Sequence, residues 1–345
     1  MPSDGHDREL PAEEHAEWPD SRAQPRSFFG APLVEDIENL KAEIGFIGMP
    51  FDQGTTNRPG ARFGPNAIRD ARGHSYKTWG EPNPKPAGGY FDIDAGRTLL
   101  AGVTMADCGD VSVAPSNIDL GFDRLTRVVG RILNTGAFPV IVGGDHAITF
   151  PAVRSFTGFD AIDIVHFDAH MDYSHDYQGV LHTHGSPIRR CSELPFVREI
   201  SSIGIRVAQK KTYDEAMERG VHLLTADQFR DLGPKRAMQQ IPSSNAIYLT
   251  LDIDVLDPTH APGTGTPEPG GLTFVELRDA LRHLPSRGRI VGVDLVEVAP
   301  NYDWAETTTR AASRLLRELL SVLFPSKEEL TESAGAAQEG LRMRP

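Results

Sequence analysis

The clearest pattern along the chain is a series of short, unbroken apolar runs, each closing on Gly, Asp or His. They occupy residues 43–49, 103–108, 138–142, 161–167, 200–205, 246–251 and 290–295. Their length and their β-branched content predict strands buried on both faces, as in a parallel sheet. Helical spacing fills several of the intervals. Phe122, Leu125, Val128, Val129, Ile132 and Leu133 mark one face of a helix that Gly136 is placed to end. Thr273 and Glu276 form a capping-box pattern ahead of a helix reaching Leu284. A further helix is expected from Ala305 to Leu323, ahead of Pro325, with Asp303 and Glu306 spelling its capping box. Strands alternating with helices predict an α/β fold, a mostly parallel sheet covered on both faces. Ligands of such sheets bind beyond the carboxyl ends of the strands. The polar residues that close the apolar runs are therefore the place to look for chemistry.

Composition narrows the class. The chain has 345 residues, 39% of them hydrophobic and 24% charged, which fits a soluble protein with one large domain. Residues 1–28 read as a flexible polar leader and 326–345 as a polar tail, leaving 29–325 as the single folded domain. There is no run of 18 apolar residues for a membrane span, and the acidic start lacks the apolar stretch of a signal peptide. A cytoplasmic protein is expected. The only cysteines, Cys108 and Cys191, are too few for a disulfide framework or a Cys-rich zinc site and read as packing residues. A net charge of −13 argues against nucleic acid as a partner and suits a cationic substrate without requiring one.

Three clusters carry the candidate chemistry. Val142-Gly143-Gly144-Asp145-His146 runs a strand into a tight turn and leaves His146 at its end. Asp168, His170 and Asp172 follow another strand at spacing i, i+2, i+4, which in extended backbone puts three ligand-type side chains on one face. Asp252 and Asp254 close a third strand in the same way, with Leu251, Ile253 and Val255 pointing into packing. Five carboxylates, Asp145, Asp168, Asp172, Asp252 and Asp254, would repel one another at buried strand ends. Two divalent cations remove the conflict, because carboxylates can bridge two metals and imidazoles complete the shells. The mixed oxygen and nitrogen donors suit Mn²⁺, Fe²⁺, Co²⁺, Ni²⁺ or Zn²⁺ better than Ca²⁺.

With these motifs in order, the chain resembles the ureohydrolase family of arginase and agmatinase. GGDHAIT at 143–149, HFDAHMD at 166–172, and TLDIDVLDP with APGTGTPEPGGLT across 250–273 carry the resemblance. FDQGTTNRPGARFGPNAIR at 51–69 and GVDLVEVAPNYD at 292–303 are similar to the agmatinase branch. The resemblance implies a three-layer α/β/α sandwich and a homo-oligomer, trimer or hexamer. It also implies a pair of metal ions, Mn²⁺ first and Ni²⁺ as the alternative. His146, Asp168, Asp172 and Asp252 would hold one ion and Asp168, His170, Asp252 and Asp254 the other, with Asp168 and Asp252 shared. Further roles follow from it: Asp172 and His184 as proton-transfer groups, and Glu297 as the carboxylate that receives a substrate guanidinium. The reaction implied is cleavage of a guanidino carbon–nitrogen bond to urea and an amine.

Other positions stay open. His182 competes with His184. Asn57 and His260 are candidates for the pocket mouth. His166 reads as packing or support of the ligands, facing away from Asp168's neighbours, and Arg58 and Arg62 as loop or subunit contacts. Agmatine leads the substrate class, with guanidinobutyrate, guanidine and a biguanide of the metformin type as alternatives. His260, Ala147 after GGDH, and Glu306-Thr307-Thr308-Thr309 depart from a plain agmatinase pattern. An amide deacetylase on the same fold would need one metal, whereas His146, Asp172 and Asp254 are all of ligand type here. A silent partner subunit in a mixed oligomer would be expected to lose ligands, and all six are present.

Overall fold

The computed structural model describes residues 26–71 and 89–327. Ten strands are found among them: β1 (Ile44–Gly48), β2 (Tyr90–Asp92), β3 (Arg97–Leu99), β4 (Met105–Asp110), β5 (Phe138–Val142), β6 (Ile162–Phe167), β7 (Val197–Ile205), β8 (His222–Thr225), β9 (Ser244–Asp252) and β10 (Gly288–Val296). Eight of these form one sheet in the order β4-β1-β5-β10-β9-β6-β7-β8, and every pairing is parallel. β2 and β3 make a separate antiparallel hairpin.

Alternation along the strands sorts the core into two layers. From β9, Ile247, Leu249 and Leu251 join one apolar cluster with Leu277, Leu281, Leu316 and Leu320 of the helices Phe274–His283 and Thr307–Leu323. Tyr248 points the other way, into a cluster with Phe122, Leu125, Val129 and Ile132 of the helix Ile118–Asn134. The result is a three-layer α/β/α sandwich. Among the described residues no helix is long and apolar enough to cross a membrane.

All seven apolar runs are strands, within a few residues of the expected ends. β8 is a strand without such a run: His-Leu-Leu-Thr is short, lies at the sheet edge and is only partly covered, so its burial signal is weak. Thr273 and Glu276 form the reciprocal capping box. The box expected from Asp303 and Glu306 does not form. Glu306 has a left-handed backbone and pairs with Arg310, while Asp303 alone accepts from the amides of Thr308 and Thr309.

Residues at both expected domain boundaries pack into the fold. Phe28 is fully buried, stacks on Phe46 and donates its amide to Asp107. The Ser326 hydroxyl is buried between Ala101 and Thr98. Residues 1–25 of the leader and 328–345 of the tail lie outside the described residues.

Candidate metal centre and substrate cavity

Three neighbouring strands, β5, β9 and β6, with β10 between two of them, deliver the cluster at their carboxyl ends. Beyond β5 the chain must turn against the segment after β1: the Gly144 amide donates to Met49, and the Asp145 amide to Phe51. A Cβ on Gly144 would overlap the Phe51 carbonyl oxygen, so close approach rather than a special dihedral is the reason for glycine. The turn presents His146. Its Nε2 lies 2.9 Å from Thr250 Oγ1, and its Nδ1 faces Asp168 Oδ2 at 3.0 Å, Asp172 Oδ2 at 3.0 Å and Asp252 Oδ2 at 3.1 Å. A second set converges beside it, with His170 Nδ1 3.3 Å from Asp168 Oδ1 and 3.1 Å from Asp254 Oδ2. Asp168 thus offers one oxygen to each histidine.

These residues fit a pair of cations. His146 Nδ1 is buried and none of the surrounding oxygens meets it in hydrogen-bond geometry. The charges agree. Burial opposes ionisation of His146, but Asp168, Asp172 and Asp252 outweigh it and hold the imidazole well above its usual value. His170 is raised too, by Asp254 and Asp168 against the effect of burial. Burial, then the charges of Asp254 and Asp168, push Asp252 well above the usual carboxylate range. Protons are thus drawn into the cluster, and a divalent cation would displace them. His146, Asp168, Asp172 and Asp252, and then Asp168, His170 and Asp254, are the groups that could hold metal.

Several expectations change at this point. Asp168, His170 and Asp172 lie beyond the end of β6 rather than within it, and Asp172 reaches His146 because its backbone is left-handed, φ 48°. Asp254 sits in a 3₁₀ turn, Ile253–Val255, and its amide donates to Asp252 Oδ1. Asp145 does not face the other four carboxylates: it accepts from the amides of Gly54 and Ala147. Burial and the charge of Glu297 raise it to about 7. His166 does not turn away from the ligand run but supports it, its Nε2 2.8 Å from Asp168 Oδ2 and its Nδ1 3.0 Å from Ser202 Oγ. Arg58 and Arg62 brace the loops, on the carbonyls of Gly265 and Thr264 and on Asp52.

Glu297 follows β10, also with a left-handed backbone, φ 64°. Its Oε1 accepts from the His146 amide at 3.0 Å and lies 3.1 Å from His184 Nδ1. Among the described residues no hydrogen bond reaches its Oε2. The Thr56 amide donates to His184 Nε2 at 3.2 Å, so the neutral ring carries its proton on Nδ1. Burial pulls His184 down, but the hydrogen bond and charge of Glu297, with Asp172 and Asp145 beyond, outweigh it and raise the ring to about 9. His182 is packed between the rings of Phe122 and Phe150 instead.

A cavity of about 230 Å³ opens onto this array. His170, Asp172, His184, Asp252 and Glu297 line it; Asn57 and His260 do not. Thr56, Ser174, Gln209, Thr212 and Thr266 complete its polar lining. Thr56 and Thr266 fall inside the stretches 51–69 and 250–273 that carry the family resemblance, whereas no motif marks Ser174, Gln209 or Thr212. The signal that could have found Gln209 and Thr212 is positional, since they follow the carboxyl end of β7.

Comparison with known proteins agrees. The chain belongs to the arginase family, whose model matches residues 42–321. It is an agmatinase-like ureohydrolase, an enzyme that hydrolyses guanidino carbon–nitrogen bonds. It is 36% identical over 282 residues to the agmatinase of Bacillus subtilis (strain 168), covering 81% of this chain and 91% of that one. It is 35% identical over 312 residues to a guanidinopropionase of Pseudomonas aeruginosa, covering 87% and 92%. The crystallised proclavaminate amidino hydrolase of Streptomyces clavuligerus superposes with a TM-score of 0.76 at 32% identity, covering 88% of this chain and 99% of that one.

Proposed function

We propose that the chain releases urea and an amine from a small guanidino compound, using two divalent ions, Mn²⁺ before Ni²⁺, with Asp168 and Asp252 shared between them. The observation that carries this reading is Glu297. Its Oε1 is held by His146 and His184 while its Oε2 is left to the cavity, beside two converging ligand sets. A planar guanidinium donates to such a carboxylate. When bound, the metal pair supplies a water ionised near neutral pH, which a resonance-stabilised guanidinium carbon requires of its nucleophile. The chain's own groups do the rest. Glu297 orients the guanidinium, and His184, on the far side of Glu297 Oε1, holds a proton at Nδ1. Asp172, which lines the cavity beside His146, is placed to pass a proton to the departing amine. The substrate class takes in agmatine, guanidinobutyrate, guanidine itself and biguanides, and the agmatinase and guanidinopropionase among the relatives support it at that level. An oligomer of identical chains in the cytoplasm, trimeric or hexameric, completes the proposal. The test is urea release from a guanidine panel by protein loaded separately with Mn²⁺ and Ni²⁺. Turnover of one member supports the reading; no urea from any member, with two metals bound per chain, would overturn it.

A further inference from the structure

The cavity has two unlike kinds of lining. One is the array of carboxylates and imidazoles around the metal centre and Glu297. The other is the segment after β7 and the first turn of the helix Lys210–Glu218, which contribute Val207, Ala208, Gln209 and Thr212. That first turn contains no acidic residue, and Gln209, at the N-cap, makes no side-chain capping bond. Its leading amides therefore have no acceptor within the helix, and its end carries partial positive charge. Thr212 adds a second, independent observation. It is 9% exposed, it lines the cavity, and among the described residues its hydroxyl has no hydrogen-bond partner. Lys210 and Lys211 stand on the same turn, each paired with an acid one turn on, Asp214 and Glu215.

A substrate with an ammonium at its far end would bring a cation against the positive end of this helix. The remaining carboxylates of the cavity, Asp172, Asp252 and Glu297, are committed to the metal centre and the guanidinium. A carboxylate at the far end would instead find the free amides and the Thr212 hydroxyl. We infer that the substrate is a guanidino carboxylic acid, with its guanidinium at Glu297 and its carboxylate on Thr212 and the first turn of Lys210–Glu218. This rests on the guanidino-hydrolase reading above and narrows it.

The test compares urea release by the metal-loaded enzyme from 3-guanidinopropionate and 4-guanidinobutyrate, from agmatine, and from neutral butylguanidine. The better of the two acids is expected to exceed agmatine in kcat/KM by about tenfold or more, the scale set by a charge-assisted hydrogen bond standing where the amine would meet repulsion. Thr212→Val should raise KM for the acid several-fold more than KM for butylguanidine, with the larger effect on KM rather than kcat, a split that a merely structural role would not produce. Thr212→Asp should move the preference toward agmatine. A wild-type preference for agmatine, or equal rates for acid and amine, would overturn the inference while leaving the guanidino reading in place. Absence of urea from all four compounds would strike that reading itself, and the inference with it.

Discussion

At the scale of single residues, Glu297 and Asp252 have separable jobs. Glu297 touches the His146 amide and His184 but faces no metal-type pair of imidazole and carboxylate. Glu297→Gln should therefore keep two metals per chain and lose turnover, through a raised KM or a collapsed kcat. Metal analysis beside steady-state kinetics checks this, and unchanged kinetics on the true substrate would remove Glu297 from the site. The same substitution takes away the main group that lifts His184 to about 9, so the ring's pKa should fall. An NMR titration of His184 in metal-free protein reads that directly. Asp252→Asn removes a carboxylate that faces His146 Nδ1 and should abolish turnover together with bound metal. Two metals and full activity in that variant would sink the sharing assigned to it. His146, Asp168, Asp172, Asp252 and Asp254 can be picked out in the sequence because each closes or closely follows the apolar run of a strand. Their neighbours Gln209 and Thr212 cannot, since an amide and a hydroxyl beside a helix start carry no distinguishing spacing.

Elements explain which parts of the site are legible. Strand ends are, because buried parallel strands write themselves as unbroken apolar runs and their last residues face the site. The turns beyond them are not: spacing i, i+2, i+4 suggests one extended face, whereas Asp172 arrives through a left-handed residue and Asp254 through a 3₁₀ turn. The turn at Gly144 is the most sensitive of these. Its Cβ space is filled by the Phe51 and Met49 carbonyl oxygens, so Gly144→Ala must shift backbone against backbone. A loss of roughly 2–4 kcal/mol is expected, as for overpacking combined with a displaced turn. Denaturant unfolding of the metal-free protein would measure it, and a loss below about 0.5 kcal/mol, typical of an unconstrained surface site, would contradict the packing argument.

For the molecule as a whole, metal and proton compete for the same buried cluster. His146 and His170 are held above the usual imidazole value in the metal-free fold. A group raised on folding lends stability below its unfolded pKa and loses it as pH rises through the folded value. The metal-free protein should therefore draw less stability from this cluster as pH rises above about 6.5, the ordinary value for histidine. A bound cation acts in the opposite sense, because its ligands must be deprotonated. The rise in Tm on adding Mn²⁺ or Ni²⁺ should be larger at pH 8 than at pH 6, which thermal melts at the two pH values would show; a rise independent of pH would mean that no proton is displaced. The three-layer architecture is legible from the alternation of strand and helix patterns. The edge strand β8 and the β2–β3 hairpin are not, because partly covered three- and four-residue strands leave little periodicity.

The left-handed backbones of Asp172 and Glu297 set durability against catalysis. Each non-glycine residue in that conformation costs on the order of 1 kcal/mol, and each also buries acidity among other acids. Glycine at either position would relax the chain and thin out the negative charge, giving a hardier protein that no longer works. Selection for heat resistance alone would then drift toward loss of these two side chains, and the positions where it does so would mark out the active site without any substrate in hand.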